Sequence, residues 1–195
     1  MRRIFVIRHG NTFASGTEAR RIGCRTDIPL VESGHAQARQ LAAWFAAQPF
    51  AVERLLSSPL LRARQTAQAI ADATGHGPDG TKDWLSEIDH GPDEGRPENE
   101  VVARIGAQAI ADWDEYGVAP PGWIVDTDAR IVGWRAFFAE GGGGVDLLVT
   151  SNGAARFALI AAGIPAATLK LRTGAFGELE VTDGAVRLVR WDVRP

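Results

Sequence analysis

The sequence predicts an α/β domain of three layers, with a mostly parallel central sheet, helices on both faces and a C-terminal antiparallel hairpin. Segments 3–8 and 145–150 are runs of β-forming residues with little polar alternation, which is typical of strands buried on both faces of a parallel sheet. Residues 178–191 form two alternating segments around Asp183-Gly184, and Asp-Gly between such segments is a strong hairpin signal.

The remaining elements alternate between strand and helix. A helix begins near Ser33, carries an apolar stripe and ends before Pro49. A short strand at 54–57 and a helix at about 60–73 follow, and glycines at 75, 77 and 80 then indicate a loop. We expect further helices at about 98–113, 126–140 and 153–162. No repeat or linker interrupts this order, so we predict a single domain over residues 1–195.

Composition and charge exclude several classes of protein. The chain has 195 residues with 21 basic and 24 acidic side chains, a net charge of -3, which argues against a nucleic-acid binder. Cys24 is the single cysteine, so no intrachain disulfide can form. No signal peptide and no apolar run of membrane-spanning length is visible, so we expect a cytoplasmic protein without a membrane partner. The oligomeric state stays open.

Polar side chains follow three of the predicted strands at the point where each strand ends. These groups are residues 8–12, residues 57–59 with Arg62 on the next helix, and residues 150–153. Open α/β sheets bring the carboxyl ends of their strands together, and ligands bind there. A histidine, His9, among arginines at this edge indicates an anion site with a nucleophile or a base.

The residue types suit phosphoryl transfer, which needs neutralised negative charge and reacting groups held in line. Arginine grips phosphate oxygens in a bidentate way, and a neutral imidazole is a good nucleophile near pH 7. Gly10 permits a sharp turn close to a ligand, and the helix beginning near Gly153 would offer free amide groups to an anion. Glu87 is the preferred proton donor for the leaving oxygen and Asp89 the second choice.

Four motifs in order resemble the histidine phosphatase superfamily, also called phosphoglycerate mutase-like. They are Arg8-His9-Gly10-Asn11-Thr12, then Arg25 to Leu30 with Gly34, then Ser57 to Ala67, and finally Leu85 to Gly91 with Glu94-Gly95. The resemblance extends along the whole chain.

The resemblance implies roles for individual residues. His9 would be transiently phosphorylated, Arg8 and Arg62 would hold the phosphoryl oxygens, and Glu87 would protonate the leaving group and then activate water. The substrate would be a small phosphomonoester, with no metal ion and no cofactor. Residues expected to contact the substrate are Asn11, Thr12, Ser15, Arg25, Asn152 and Gly153.

The chain departs from the family pattern in two places. Asn152 stands where the family normally has a second histidine, and an amide can donate a hydrogen bond but carries no charge. Loss of one charge-stabilising donor lowers turnover on the order of a hundredfold. In the nucleophile loop, Asn11 and Ser15 replace a usual glutamate and asparagine, which changes the expected substrate rather than the reaction.

Several residues also have a purely structural interpretation. His90 could stand in for the missing histidine, but we expect a solvated loop residue, and Arg64 is expected to be structural or solvated. The tryptophans Trp113, Trp123 and Trp134 are expected to pack in the core or in a lid, with the alternative that one of them forms a wall of a pocket for an apolar substrate.

Three functions therefore compete. The first is hydrolysis of a small phosphomonoester. The second is phosphoglycerate mutase-type transfer, although such mutases usually carry extra segments that exclude water. The third is a phospho-ligand binding module with little catalysis, which Asn152 would explain.

Overall fold

The computed structural model describes residues 1–195 and confirms the predicted α/β class. The strands are β1 (Arg2–Arg8), β2 (Arg54–Ser57), β3 (Gly80–Thr81), β4 (Gly144–Thr150), β5 (Phe176–Thr182) and β6 (Ala185–Val193). The helices are α1 (Glu32–Ala46), α2 (Leu61–Thr74), α3 (Glu98–Ile105), α4 (Ala107–Tyr116), α5 (Thr127–Ala139) and α6 (Asn152–Ala162). Short 3₁₀ turns lie at Asp83–Leu85 and Gly91–Asp93.

All six strands form one sheet in the order β3-β2-β4-β1-β5-β6. The pairs from β3 to β1 are parallel, whereas β5 runs antiparallel to β1 and to β6. The last two strands are the predicted hairpin. Arg8 lies opposite Thr150 at the ends of β1 and β4, so the polar residues that follow these strands are neighbours. That the chain is a single domain stays a prediction.

The core consists of two apolar clusters, one on each face of the sheet. Along β1, Ile4 and Val6 belong to one cluster and Phe5 and Ile7 to the other, as the two-residue period of a strand requires. Helices α1 and α2 cover the Phe5 side, and α3 to α6 cover the Ile4 side. The prediction of core packing is confirmed for the buried tryptophans Trp113, Trp123 and Trp134.

Two elements differ from the sequence prediction. The single helix expected at about 98–113 was wrong, because Gly106 adopts φ 85° and divides it into α3 and α4. This left-handed backbone is available to glycine at little cost, so one residue ends a helix that the apolar pattern would continue. Strand β3 falls inside the predicted glycine-rich loop, where it pairs with Leu56 and Ser57 of β2.

None of the helices combines the length with the apolar composition that crossing a lipid bilayer requires.

Candidate active site

A cavity of about 600 Å³ opens where β1 and β4 end. The loop after β1 forms much of its wall, and the start of α6 and the Glu87 segment form the rest. Of the predicted site residues, the lining includes Arg8, His9, Asn11, Thr12, Ser15, Glu87, Asn152 and Gly153. The structure therefore brings together residues that lie up to 145 positions apart in the chain.

The close approach of two glycines holds the nucleophile loop against the start of α1. A Cβ on Gly10 would overlap the backbone oxygen of Gly34, and a Cβ on Gly34 would overlap the backbone oxygen of Asn11. The amide N–H of Val31 donates to the same Asn11 oxygen at 3.1 Å. Only glycine fits at these two positions, and the loop that follows His9 is anchored to α1 as a result.

His9 is buried with one ring nitrogen fixed. Nδ1 lies 2.7 Å from the backbone oxygen of Gly10. Because a carbonyl only accepts, Nδ1 carries the hydrogen, and the lone pair of the neutral ring is on Nε2. Burial, followed by the charges of Arg8 and Arg62, holds the pKa of His9 well below its ordinary value of 6.5. The ring is therefore neutral and nucleophilic at neutral pH.

Two guanidinium groups flank this histidine, that of the half-buried Arg8 and that of the fully buried Arg62. Arg8 donates from Nη1 to the backbone oxygen of Leu171 at 2.8 Å, and Arg62 donates to the backbone oxygens of Thr26 at 2.7 Å and Gly23 at 3.2 Å. The Nε atom of each arginine is buried without a hydrogen-bond partner. Burial is the main reason that the pKa of Arg8 falls to about 10, which still leaves it charged at neutral pH.

Arg62 lies behind the cavity surface rather than on it, since it is not among the lining residues and is fully buried. The positive charge of Arg62 nevertheless lowers the pKa of both His9 and Arg8. One half-buried and one fully buried cation near the same nucleophile, each with an unpartnered Nε, suit an anion that is small and multiply charged.

Glu87 lies in the same cavity at the start of α6. Its Oε2 accepts from the backbone N–H of Gly153 at 3.2 Å, and its Oε1 accepts from the N–H of Ile88 at 3.0 Å. A Cβ on Gly153 would overlap Oε1, so the helix backbone and the carboxylate meet with no room for a side chain. A carboxyl group that lines the same cavity as the histidine can exchange a proton with a reacting oxygen.

Asn152 and Asn11 both line the cavity, and each amide has a defined orientation. The Oδ1 of Asn152 accepts from the N–H of Leu171 at 2.9 Å, which leaves its Nδ2 as an unused donor. The side chain of Asn11 is used within the protein, since it donates to Ser33 at 3.3 Å and accepts from Thr173 at 2.6 Å. Asn152 is thus free to donate to a ligand, and Asn11 shapes the wall.

Besides Arg62, two residues singled out from the sequence do not reach the cavity. Arg25 donates to Asp89 at 3.0 Å and to the backbone oxygen of Gly91 at 2.7 Å, and neither Arg25 nor Asp89 is a lining residue. Arg25, which was predicted to contact the substrate, and Asp89, the second choice for the acid, therefore pair with each other outside the cavity.

Sequence reasoning was wrong about His90, which it expected to be solvated, and assigned no role to Glu94. His90 is 5% exposed and lines the cavity. Its ring packs edge-on against Trp123 with 4.6 Å between the ring centroids, and its Nδ1 lies 3.7 Å from Oε2 of Glu94. Trp113 lines the cavity as well as the core. Glu94 accepts from Gly23, one of the residues that hold Arg62. The sequence signal for Glu94 was its place in the fourth motif, and the alternative that a tryptophan of the 113–134 segment forms a pocket wall applies to Trp113.

No group of three or more His, Cys, Asp or Glu side chains in the structure could hold a metal ion. Independence from metals and cofactors stays a prediction.

The fold and the site define an α/β protein with a buried nucleophilic histidine among arginines at the end of a strand. The family model for the histidine phosphatase superfamily, branch 1, matches residues 4–194. The chain therefore belongs to the histidine phosphatase superfamily.

Curated relatives match over shorter stretches. A 2,3-bisphosphoglycerate-dependent phosphoglycerate mutase from Mesorhizobium japonicum is 32% identical over 110 residues, which are 54% of this chain and 53% of the mutase. The probable phosphoglycerate mutase GpmB from Enterobacter sp. is 39% identical over 75 residues, 38% of this chain and 33% of that protein. The matched segment thus spans about half of the first relative and a third of the second.

Solved structures match over nearly the whole chain. A mycobacterial glucosyl-3-phosphoglycerate phosphatase has a TM-score of 0.83 at 23% identity, covering 99% of this chain and 100% of that one. A protein from Thermus thermophilus has a TM-score of 0.68 at 28% identity, covering 98% and 99%. These likenesses confirm the fold.

Proposed function

We propose that this protein hydrolyses a small phosphomonoester through a phosphohistidine at Nε2 of His9. The proposal depends on the state of His9: its Nδ1 is committed to Gly10, its ring is neutral, and the charges of Arg8 and Arg62 act on it. Such an arrangement favours attack on a phosphorus atom, because Arg8 on the cavity wall can bind a phosphoryl oxygen and the positive charge of Arg62 behind the wall offsets the negative charge of the phosphoryl group.

The reaction would proceed in two steps. In the first, the lone pair of Nε2 forms a bond to phosphorus, the bond to the leaving oxygen breaks, and protonated Glu87 gives its proton to that oxygen. In the second, water attacks phosphorus while the Glu87 carboxylate takes a proton from it. The N–P bond then breaks, and both His9 and Glu87 return to their starting forms.

Asn152 would donate its amide hydrogen to a phosphoryl oxygen. Because an amide stabilises developing negative charge less than a cation does, we expect slow turnover compared with a site that has a second imidazolium there, by on the order of a hundredfold. The leaving group would occupy the part of the cavity near His90 and Trp113. A cytoplasmic location stays part of the proposal.

A mutase is the second candidate, because the curated relatives that match are named phosphoglycerate mutases. A mutase must return the phosphoryl group to an organic acceptor and keep water away from the phosphoenzyme. The two functions share every step up to the phosphohistidine, and only the acceptor in the second step differs.

One assay separates the candidates. The pure protein is incubated with a panel of phosphomonoesters and, separately, with 3-phosphoglycerate and its bisphosphate primer. Release of inorganic phosphate that His9→Ala abolishes and His76→Ala leaves intact supports the hydrolase. His76 is a matched control because it pairs with Asp79 and does not line the cavity. Isomerisation without phosphate release would establish the mutase instead. Tight binding without turnover, unchanged in His9→Ala, would establish a binding module.

A further inference from the structure

Arg130 on α5 is a buried cation whose partners are all backbone oxygens. It is 6% exposed, and its nitrogens donate to Val125 at 2.7 Å, Trp84 at 3.1 Å, Ser86 at 2.6 Å and Glu87 at 3.4 Å. No carboxylate lies within ion-pair distance of it in the structure. Three of these four oxygens belong to one short segment, and that segment ends at the proposed acid.

The remaining carbonyl of the same segment is also held. Leu85 accepts from the hydroxyl of Thr150, at the end of β4, at 2.5 Å. The backbone oxygens of residues 84, 85, 86 and 87 therefore each accept a hydrogen bond from a distant side chain. A backbone segment whose carbonyl groups are all held in this way is rigid. The Cα atom from which the Glu87 side chain extends therefore has a fixed position.

Burying a guanidinium in this way is unfavourable, and burial accordingly lowers the pKa of Arg130. An apolar residue of similar size could fill the same volume without that desolvation. The planar fork of arginine, with donors in several directions, can hold the carbonyl of Val125 and those of the Glu87 segment at once. The geometry is therefore better explained by positioning than by packing.

We propose that Arg130 is a positioning residue, which fixes the Glu87 segment so that the carboxyl group can give its proton to the leaving oxygen. This inference rests on the proposed hydrolase function and assigns a role within it. Arg130 touches neither the cavity nor the reacting atoms, so it acts only through Glu87.

The inference predicts an effect that depends on the leaving group. Hydrolysis of p-nitrophenyl phosphate needs little help from an acid, because nitrophenolate is a stable leaving group, whereas glycerol phosphate needs a proton at the departing oxygen. We expect Arg130→Met to lower kcat/KM for glycerol phosphate on the order of a hundredfold and for p-nitrophenyl phosphate by no more than about fivefold. The value of kcat/KM is used because it reports the phosphorylation step alone.

Three further variants accompany this measurement. Arg135→Met removes an exposed arginine of the same helix that donates only to Ala161, and it should leave both substrates unaffected. Glu87→Gln should reproduce the same selectivity. Combining Glu87→Gln with Arg130→Lys should be no worse on glycerol phosphate than Glu87→Gln alone, because both changes act on one step.

Equal losses on both substrates would overturn the inference and leave Arg130 a residue of general structural importance. If Arg130→Met does not fold, Arg130→Lys decides the question: it keeps the charge but cannot hold all the carbonyls, so the same selectivity is expected. Absence of phosphate release by the unmodified protein across the whole panel of phosphomonoesters would refute the proposed hydrolase instead, which is a distinguishable result.

Discussion

Replacing Glu94 by glutamine tests how the structure assembles the arginine cradle. The Oε1 atom of Glu94 accepts from the N–H of Gly23 at 2.9 Å and from the hydroxyl of Thr26 at 2.8 Å, and Oε2 accepts from the N–H of His90 at 3.3 Å. The backbone oxygens of Gly23 and Thr26 in turn hold Arg62. A glutamine can preserve the first two bonds, but its NH₂ would face the N–H of His90, donor against donor.

The magnitude follows from the pKa of Glu94, which hydrogen bonds from His90, Thr26 and Gly23 lower from 4.5 to about 2 against the opposing effect of burial. A lowering of this size corresponds to at most about 3 kcal/mol of stability at neutral pH. Solvent screening reduces this figure, so we expect Glu94→Gln to lower the free energy of unfolding by about 2 kcal/mol at pH 7.

The loss of stability in Glu94→Gln should depend on pH. A carboxyl group whose pKa is lowered by folding contributes its stability above about 4.5 and loses it as the pH falls towards 2. The difference between the two proteins should therefore be full at pH 7 and should shrink below pH 4.5. Urea unfolding curves at several pH values measure it, with Glu100→Gln as the control, because Glu100 makes only an exposed pair with Arg96 at 3.5 Å.

Two results would refute the reasoning: a loss at pH 7 no larger than that of Glu100→Gln, or a difference that stays constant as the pH falls. Because Glu94 orients the loop that holds Arg62, binding of inorganic phosphate should also weaken several-fold in Glu94→Gln.

Three further predictions concern the cavity. The ring resonances of His9 should titrate well below pH 6.5 in the NMR spectrum, because burial and two arginines disfavour its cation; an ordinary titration would contradict this. Gly153→Ala should displace the Glu87 carboxylate and lower glycerol phosphate hydrolysis on the order of a hundredfold while secondary structure is retained by circular dichroism. Asn152→Asp keeps the acceptor for Leu171 but adds a negative charge, so turnover should fall at least tenfold; unchanged turnover would remove Asn152 from the phosphate site.

Much of the fold was predictable because its signals are local. The buried strand at the start of the chain and the hairpin around Asp183-Gly184 depend on short patterns, and both are present. The helix expected across Gly106 was wrong, since an apolar pattern continues through a glycine whose backbone leaves the helix. The motif containing Arg25 also did not reveal the partner of this side chain. In the structure Arg25 pairs with Asp89 and does not enter the cavity.

By itself, the sequence determined most of the strands and helices and their order, although not β3 or the break at Gly106, together with the motifs at the strand ends and the family, because these are encoded in the spacing of nearby residues. Tertiary structure alone decided that His90 is buried and that Arg130 holds the Glu87 segment, more than 40 positions away. The physical reason is that a polar side chain takes its hydrogen-bond partners from whatever backbone is packed against it. Those partners come from other elements and leave no trace in the residues beside it.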